Sequence, residues 1–433
     1  MNAKLENNVE AQAETSSKWV LVWVLAVAGM LNYGVRTSVT AVYPLLKTEL
    51  GFSDLGLGAL GSFFLWSYAL ASPAAGYLGD RLDRSRVVLW SLIGWSVVTA
   101  ASGMMTARAG LLAMRLLLGL VESLFLPAAT ALIAEYHTAK TRATAMGAMG
   151  VGQYVGLIGG TTLVGFLADH YGWRAPFWVL GCAGLLAAIP TYALLPVKKR
   201  ATRTTEADAA KPRTRPGPAF AEALLSLLKV PSFLVLAAAG ALTSISTWIF
   251  LNWLPLYFKE AYAMSLAGAG FFGATFINGS GALAQVLGGV LSDQVARRGA
   301  HRRMLLQALL ILAAAPTLLV FISTRNLAVI VAALVLNAGL RIAGDLNILP
   351  LLCDLAGEDK LAIAFGVTNM LNCLAGGAGI FVAGLLKSRL GLGGIFAATL
   401  GCLVLDATML LCCYGVFLRK DLEKAATRVA VGV

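Results

Sequence analysis

Gly76-Tyr77-Leu78-Gly79-Asp80-Arg81 ends one long apolar run of this chain, and Gly289-Val290-Leu291-Ser292-Asp293 ends another. Both read G-x-x-x-D, and arginines follow each within a few residues: Arg84 and Arg86 after the first, Arg297 and Arg298 after the second. A small residue lets a neighbouring helix approach closely in lipid. The aspartate can accept hydrogen bonds at a helix end or pair with the arginines beyond it. One copy carries little weight. Two copies, each after the second of six apolar runs, mark a chain built by duplication.

The runs themselves recur along the whole length, near 19–44, 55–79, 87–107, 109–134, 144–168, 174–196, 232–258, 266–292, 304–322, 327–353, 361–386 and 394–418. Each approaches or exceeds the roughly 20 apolar residues that a helix needs to cross a bilayer. Barrel strands would be shorter and would alternate apolar with polar, which these do not. Charged residues make up 13% of the chain, about half the roughly 25% of soluble domains. The expected fold is an all-α membrane protein with twelve transmembrane helices in two six-helix pseudo-symmetric bundles. Residues 1–18 are polar and read as a disordered terminus, 19–196 as the first bundle, 197–231 as a basic linker, 232–418 as the second bundle and 419–433 as a tail. Within the linker, 219–229 has the pattern of a short amphipathic helix on the membrane face. A duplicated carrier of this kind places its binding site between the halves, near mid-membrane.

A net charge of +12 would suit nucleic acid, but its placement argues against such a partner. Lysine and arginine concentrate in alternate loops: Arg81, Arg84 and Arg86; Lys140 and Arg142; Lys198 through Lys229; Arg297 through Arg303; and the tail from Arg419. Positive loops stay cytoplasmic, so both termini are expected inside a cytoplasmic (inner) membrane. Cys182, Cys353, Cys373, Cys402, Cys412 and Cys413 lie in or beside apolar runs, and no spacing suggests a metal site or a disulfide framework. His137, His170 and His301 fall in loops. No nucleophile–base arrangement or cofactor loop is visible, so neither an enzyme nor a resident cofactor is expected.

The informative residues are polar ones inside the runs. Arg36, Arg115 and Arg341 lie deep in apolar sequence, where a cation costs roughly 2.5–3.5 kcal/mol at the helix centre on the insertion scale. Such a cation faces an internal cavity and requires an anion. Asn32, Arg36 and Thr40 share one helical face, with Tyr33 beside them. Arg36 can hold a carboxylate through two parallel hydrogen bonds, or it can satisfy carbonyls at a helix end. Arg115 and Glu122 stand two helical turns apart, about 10 Å along the axis. They form either a permanent ion pair or a site where the carboxyl loads and releases a proton. Tyr68, Gln153, Asn369 and Asn372 add hydroxyl and amide groups at depth; they suit a polyhydroxylated ligand, or else join helix to helix. Arg341 and Asp345 are four residues apart: a self-satisfied pair, or contributors to the substrate and proton sites. Asp406 reads as a structural contact.

The loop string Gly76, Asp80, Arg81, Arg84 and Arg86 resembles the signature of the major facilitator superfamily, with Asp83 where glycine is usual. Within it, the chain is similar to the anion:cation symporter family from about residue 19 to 420. The matching strings are Asn32-Tyr33-x-x-Arg36, Arg115-x-x-x-Gly119-x-x-Glu122 with Pro127, Gly172-Trp173-Arg174, Trp253-Leu254-Pro255-x-Tyr257, Met264-Ser265-Leu266 and Asn369-x-x-Asn372. The resemblance implies that Arg36 holds the acid group of the substrate, that Tyr33, Tyr68 and Gln153 complete a sugar-acid site, and that Glu122 couples transport to protons. It also implies conformational gating by Gly76, Asp80, Arg81, Arg84, Gly289 and Asp293. Val35 stands where the family commonly has an aspartate, which removes one titratable site.

The expected activity is import of a small organic anion, a sugar acid first, by proton-coupled symport through alternating access. The partners expected are that anion and the lipid bilayer, with the proton as coupling ion and the protein as a monomer. An organophosphate exchanger of the same fold is expected to carry an arginine on helix 7; residues 232–258 have none. A lysolipid carrier and an efflux pump remain as alternatives.

Overall fold

The computed structural model describes residues 2–195, 220–357 and 360–431; 197–219 of the expected linker lie outside the described residues. Among the described residues the regular elements are all helical. Eleven stretches are long and apolar enough to cross a membrane. The longest, Leu361–Val416, is two spans joined at Gly391, whose φ of +63° is non-helical. Glycine adopts that geometry without a Cβ clash, and the two spans correspond to the segments read at 361–386 and 394–418.

The chain packs into two units. The described residues of the first lie within Met1–Ser53, Trp66–Lys199 and Phe258–Ala274, and those of the second within Asp54–Leu65, Arg200–Tyr257 and Thr275–Val433. Relative to the expected halves, 54–65 packs with the second unit and 258–274 with the first. Local contacts explain both. A Cβ on Gly58 would lie 2.9 Å from the Ile380 carbonyl, and Ser62 Oγ donates to Gly377 O at 2.7 Å. The Asp169 carboxylate accepts from the Leu266 and Ala267 N–H groups, each at 3.0 Å.

In the first unit, helix α1 (Asn2–Ala41) is followed by α2 (Tyr43–Glu49), the end of α3 (Asp54–Arg81), α4 (Arg84–Ser102), α5 (Arg108–Glu122), α6 (Phe125–Tyr136), α7 (Ala139–Tyr171) and α8 (Arg174–Leu194). α1 begins at Asn2, so residues 2–18 are helical rather than disordered. The stretch has no proline or glycine before Gly29 and is rich in alanine, glutamate and other good helix formers. α1 and α7 meet along a glycine ladder. Gly152 faces the Ala26 carbonyl, Gly156 the Met30 carbonyl and Gly160 the Cα of Gly34, with no room for a Cβ at any of the three. That close approach fixes α1, which carries Asn32, Tyr33 and Arg36. Thr37 Oγ1 and Thr161 Oγ1, 3.1 Å apart, add a polar tie within the same seam.

In the second unit, the start of α3 packs with α9 (Phe220–Leu228), α10 (Pro231–Tyr262), α11 (Leu266–Ala296), α12 (Arg302–Ala314), a 3-10 turn (Ala315–Leu319), α13 (Val320–Ser323), α14 (Leu327–Asp345), α15 (Ile348–Ala356), α16 (Leu361–Val416) and α17 (Leu418–Val431). α9 is the amphipathic helix read at 219–229. Asp421 of α17 accepts from Ser232 N and Ser232 Oγ at 3.1 and 2.7 Å, which satisfies an otherwise unpaired donor in the first turn of α10.

Two runs read as continuous helices are broken. The first breaks after Glu122, between α5 and α6, and the second after Asp345, between α14 and α15. A proline stands five residues beyond each carboxylate: Pro127 and Pro350. Proline has no N–H for the carbonyl four residues back, so the helical ladder loses its bond to Ser123 in one case and to Leu346 in the other. Neighbouring polar groups satisfy other carbonyls of these ends. Ser91 Oγ donates to Val121 O at 2.7 Å, and Asn347 Nδ2 donates to Gly344 O at 2.9 Å.

Candidate functional site

The polar residues of the first unit converge on Arg36. Its Nε donates to Glu122 Oε2 at 3.3 Å, with the Arg36 side chain 9% exposed and that of Glu122 fully buried. Two aromatic rings flank the guanidinium, Tyr33 at 4.7 Å and Tyr68 at 4.9 Å from their centroids. A cation over aromatic faces gains electrostatic attraction that grows as water is excluded. Arg115 is also buried and faces the Phe177 ring at 6.0 Å, with Tyr43 and Glu122 as its electrostatic neighbours. The carboxylate therefore makes its hydrogen bond to Arg36, 86 residues away in the chain, while Arg115, on its own helix, lies at longer range.

Among the described residues, the cluster sets the guanidiniums of Arg36 and Arg115 beside the carboxylate of Glu122. Several of its polar atoms have no hydrogen-bond partner: Asn32 Nδ2, Arg115 Nη1 and Glu122 Oε1. A buried polar group left unpaired costs roughly 1–3 kcal/mol, so such a concentration is unusual in a packed interior. Gln153, whose Nε2 is also unpaired, lies beside Gly29 of α1, two turns before Arg36: its Cγ would lie 3.5 Å from a Cβ on that glycine. These groups can hold an anion at Arg36 and hydrogen-bond a hydroxylated body beside it.

The second unit carries its own buried cluster. Arg341 Nη1 donates to Thr243 O at 3.4 Å and to Thr247 Oγ1, and Thr243 Oγ1 donates to Asp406 Oδ2 at 2.6 Å. Among the described residues no ion pair joins Arg341 to Asp345, so the two are not the self-satisfied pair that their spacing allows. Asp406, bonded through its Oδ2 to Thr243, has no partner at Oδ1; the same holds for Asp345 Oδ1, Arg341 Nε and Asn372 Oδ1. Asn372 lies against Gly240, and its main-chain carbonyl accepts from Ser244 Oγ at 2.7 Å. Asn369 is half-buried on the same helix. Thr243 and Thr247 drew no attention as sequence, because a threonine inside an apolar helix ordinarily bonds its own backbone.

Of the two loop signatures, the second differs in one contact from its reading. Arg84 Nη1 bonds Glu135 Oε2 at 3.2 Å, and Asp83 caps α4 by accepting from Arg86 N at 2.9 Å. Asp293 pairs with Arg303, at 3.3 Å, rather than with Arg297 or Arg298. A Cβ on Gly76 or Gly289 would meet nothing within 4 Å. The side chains of Asp80 and Arg81 are outside the described residues.

Comparison with known proteins agrees with this architecture. The chain is 27% identical over 311 residues to the probable galactarate/D-glucarate transporter GudP of Bacillus subtilis (strain 168), covering 67% of this chain and 68% of that one. It is 25% identical over 444 residues to the probable galactarate/D-glucarate transporter GarP of Escherichia coli (strain K12), covering 96% and 98%. A crystal structure of a bacterial homolog to the human lysosomal transporter Spinster, inward-facing and unoccupied, superposes with a TM-score of 0.75 over 94% of this chain and 98% of that one; at 20% identity it shares the fold. The family model of the Major Facilitator Superfamily matches residues 25–380, and with twelve spans and a duplicated loop signature the chain belongs to that superfamily.

Proposed function

We propose that this protein imports a sugar acid, or a closely related hydroxylated carboxylate, by symport with protons through alternating access. The observation that carries the reading is the Arg36–Glu122 contact with Arg115 held nearby: among the described residues, a buried cluster of two guanidiniums and one carboxylate. An anionic substrate suits such a cluster. The unpaired amides of Asn32 and Gln153 and the tyrosines at 33 and 68 are suited to hydroxyl groups. The names of the relatives, galactarate and D-glucarate transporters, agree with that chemistry. The protein then lies in the cytoplasmic (inner) membrane with both termini inside, as the basic loops favour, and works without a cofactor or catalytic chemistry.

Coupling follows from competition for one guanidinium. While Glu122 is ionised it occupies Arg36. A proton on Glu122 removes that rival, and Arg36 turns its charge to the substrate carboxylate. Each ligand thereby favours the other, as linkage requires. The test is uptake of radiolabelled D-galactarate and D-glucarate into proteoliposomes. Wild-type protein should concentrate one or both when the lumen is alkaline. Glu122→Gln should retain exchange of internal for external substrate and lose accumulation driven by the pH gradient. Full pH-driven uptake by that variant would remove the coupling assignment; no uptake of any carboxylate by wild-type protein would remove the substrate class.

A further inference from the structure

Glu122 has a counterpart in the second half of the chain. Asp345, like Glu122, is the last residue of a helix segment, stands immediately before a break, and lies five residues ahead of a proline. Both runs are the fourth of their six-helix halves. The internal repeat therefore sets a carboxyl group at the same register twice, each time with an arginine upstream: Arg115 seven residues before Glu122, Arg341 four residues before Asp345.

The surroundings of the two carboxyls differ in charge. The first cluster has two guanidiniums and one carboxylate. The second reverses this: Asp345 stands one helical turn beyond Arg341 on α14, and Asp406 is tied to Arg341 through Thr243. Among the described residues the ionisable groups acting on this second cluster are Arg341 and Asp345 from α14 and Asp406 and Cys402 from α16. α10 contributes the hydroxyls of Thr243 and Thr247. Arg341 is 3% exposed, Asp406 is fully buried and Asp345 is half-buried, with its Oδ1 enclosed; each aspartate keeps one oxygen without a partner. Two carboxylates around one guanidinium leave one negative charge uncompensated, and a lone charge at that depth is costly. A cation must balance it. The crowding donors, Arg341 and the threonine hydroxyls, leave little reason for a metal ion, which would need several oxygen ligands free of a neighbouring positive charge.

We propose that Asp345 and Asp406 share one exchangeable proton around Arg341, so that the second unit is a proton-binding site of its own, separate from Glu122. The proton resides on either carboxyl, and the pair titrates as a unit. Arg341 and Asp406 are linked through Thr243, whose carbonyl accepts from the first and whose hydroxyl donates to the second. In a symporter this site would add one coupled proton and replace the carboxyl that Val35 removes from the first helix. That last step rests on the symport reading; proton binding by the pair does not.

Infrared difference spectroscopy separates the two. Purified protein in lipid nanodiscs is stepped from mildly acid to mildly alkaline buffer, and the band of buried protonated carboxyl is followed. Glu122→Gln serves as background, which removes the signal of the first unit. One titrating buried carboxyl should persist there. Either Asp345→Asn or Asp406→Asn, added singly, should abolish it, because each leaves one carboxylate balanced by Arg341. Two independent aspartates would behave otherwise, with signal surviving each single substitution. Arg341→Gln should act in the opposite sense and raise the amplitude about twofold, since both carboxyls then hold protons. Persistence of the band in either single aspartate variant, or its absence from the Glu122→Gln protein, overturns the proposal. Monodisperse elution confirms folding for each variant, and because no substrate is needed, failure here leaves the sugar-acid reading standing.

Discussion

Arg36 touches Glu122 through one nitrogen and one oxygen, at 3.3 Å, in the first unit of the protein. The contact joins helices far apart in sequence and leaves Oε1 of the carboxylate without a partner. A single point of attachment is weaker than the paired fork that arginine makes with a well-placed carboxylate. The geometry thus suits an arginine whose partner can be exchanged more than a permanent structural bridge.

Substituting Arg36 tests that use. A lysine keeps the charge but loses the planar fork and the stacking between Tyr33 and Tyr68. Arg36→Lys should weaken D-galactarate binding by about tenfold or more, in keeping with the roughly 1.5–3 kcal/mol carried by a hydrogen bond to a charged group. Isothermal titration of the purified protein reads it directly. Thermal stability should fall less in the lysine variant than in Arg36→Ala, which strands Glu122 without its partner. Equal affinity for wild type and Arg36→Lys would argue that the substrate is not held there.

The glycine ladder gives a prediction with an internal control. Gly156 faces the Met30 carbonyl with no space for a side chain, whereas a Cβ on Gly159, three residues on, would meet nothing within 4 Å. Gly156→Ala should force α1 and α7 apart and cost about 1–3 kcal/mol, the usual range for overpacking. Gly159→Ala should be neutral or slightly stabilising, as alanine favours the helix. Melting temperatures in one detergent compare the two. Because α1 carries Arg36, the Gly156 variant should also bind substrate more weakly.

Asp83 departs from the glycine usual in the loop signature and acts as the N-cap of α4, accepting from Arg86 N at 2.9 Å. A cap lost to alanine costs about 1 kcal/mol, but one lost to glycine only a few tenths. Asp83→Ala should therefore lower thermal stability measurably, while Asp83→Gly leaves it close to wild type. Equal losses in both would show that the side chain serves something other than the helix end.

The spans and their duplication were legible because hydropathy at bilayer length is a strong local signal, and so were the buried arginines. What joins them was not. In sequence Glu122 pairs with Arg115, seven residues away, since helical geometry is the only distance that a sequence supplies; the hydrogen bond to Arg36 arises from the tertiary fold, in which the long Arg36 side chain of α1 reaches the end of α5. The breaks after Glu122 and Asp345 had a visible sign in Pro127 and Pro350, but long apolar runs masked it, and prolines are tolerated in membrane helices. The tie from Asp406 to Arg341 passes through Thr243, a residue with no ionisable group to mark it. Helix formation from Asn2 is hidden for a different reason: a polar, charged stretch reads as disordered even when it is rich in alanine, glutamate and lysine.

A last pair lay outside the sequence reading. Lys387 Nζ and Asp54 Oδ1 are 3.0 Å apart in the second unit, with side chains 7% and 20% exposed. Exposed ion pairs contribute about 0–1 kcal/mol, while breaking a fully buried pair by removing one partner costs about 3–5. This one lies between, so Lys387→Met and Asp54→Asn should each destabilise by about 1–3 kcal/mol. The double substitution should cost less than the two separate losses combined, because it strands no charge. A double-mutant cycle on thermal unfolding gives the coupling, provided that the remaining contacts of both residues survive. Shielding from solvent should also make the coupling nearly independent of salt, in contrast to the exposed Arg84–Glu135 pair, whose coupling should fade as ionic strength rises. Coupling near zero at low salt would mean that Asp54 and Lys387 are each satisfied by other neighbours and that their pairing adds nothing to the packing of α3 in this unit.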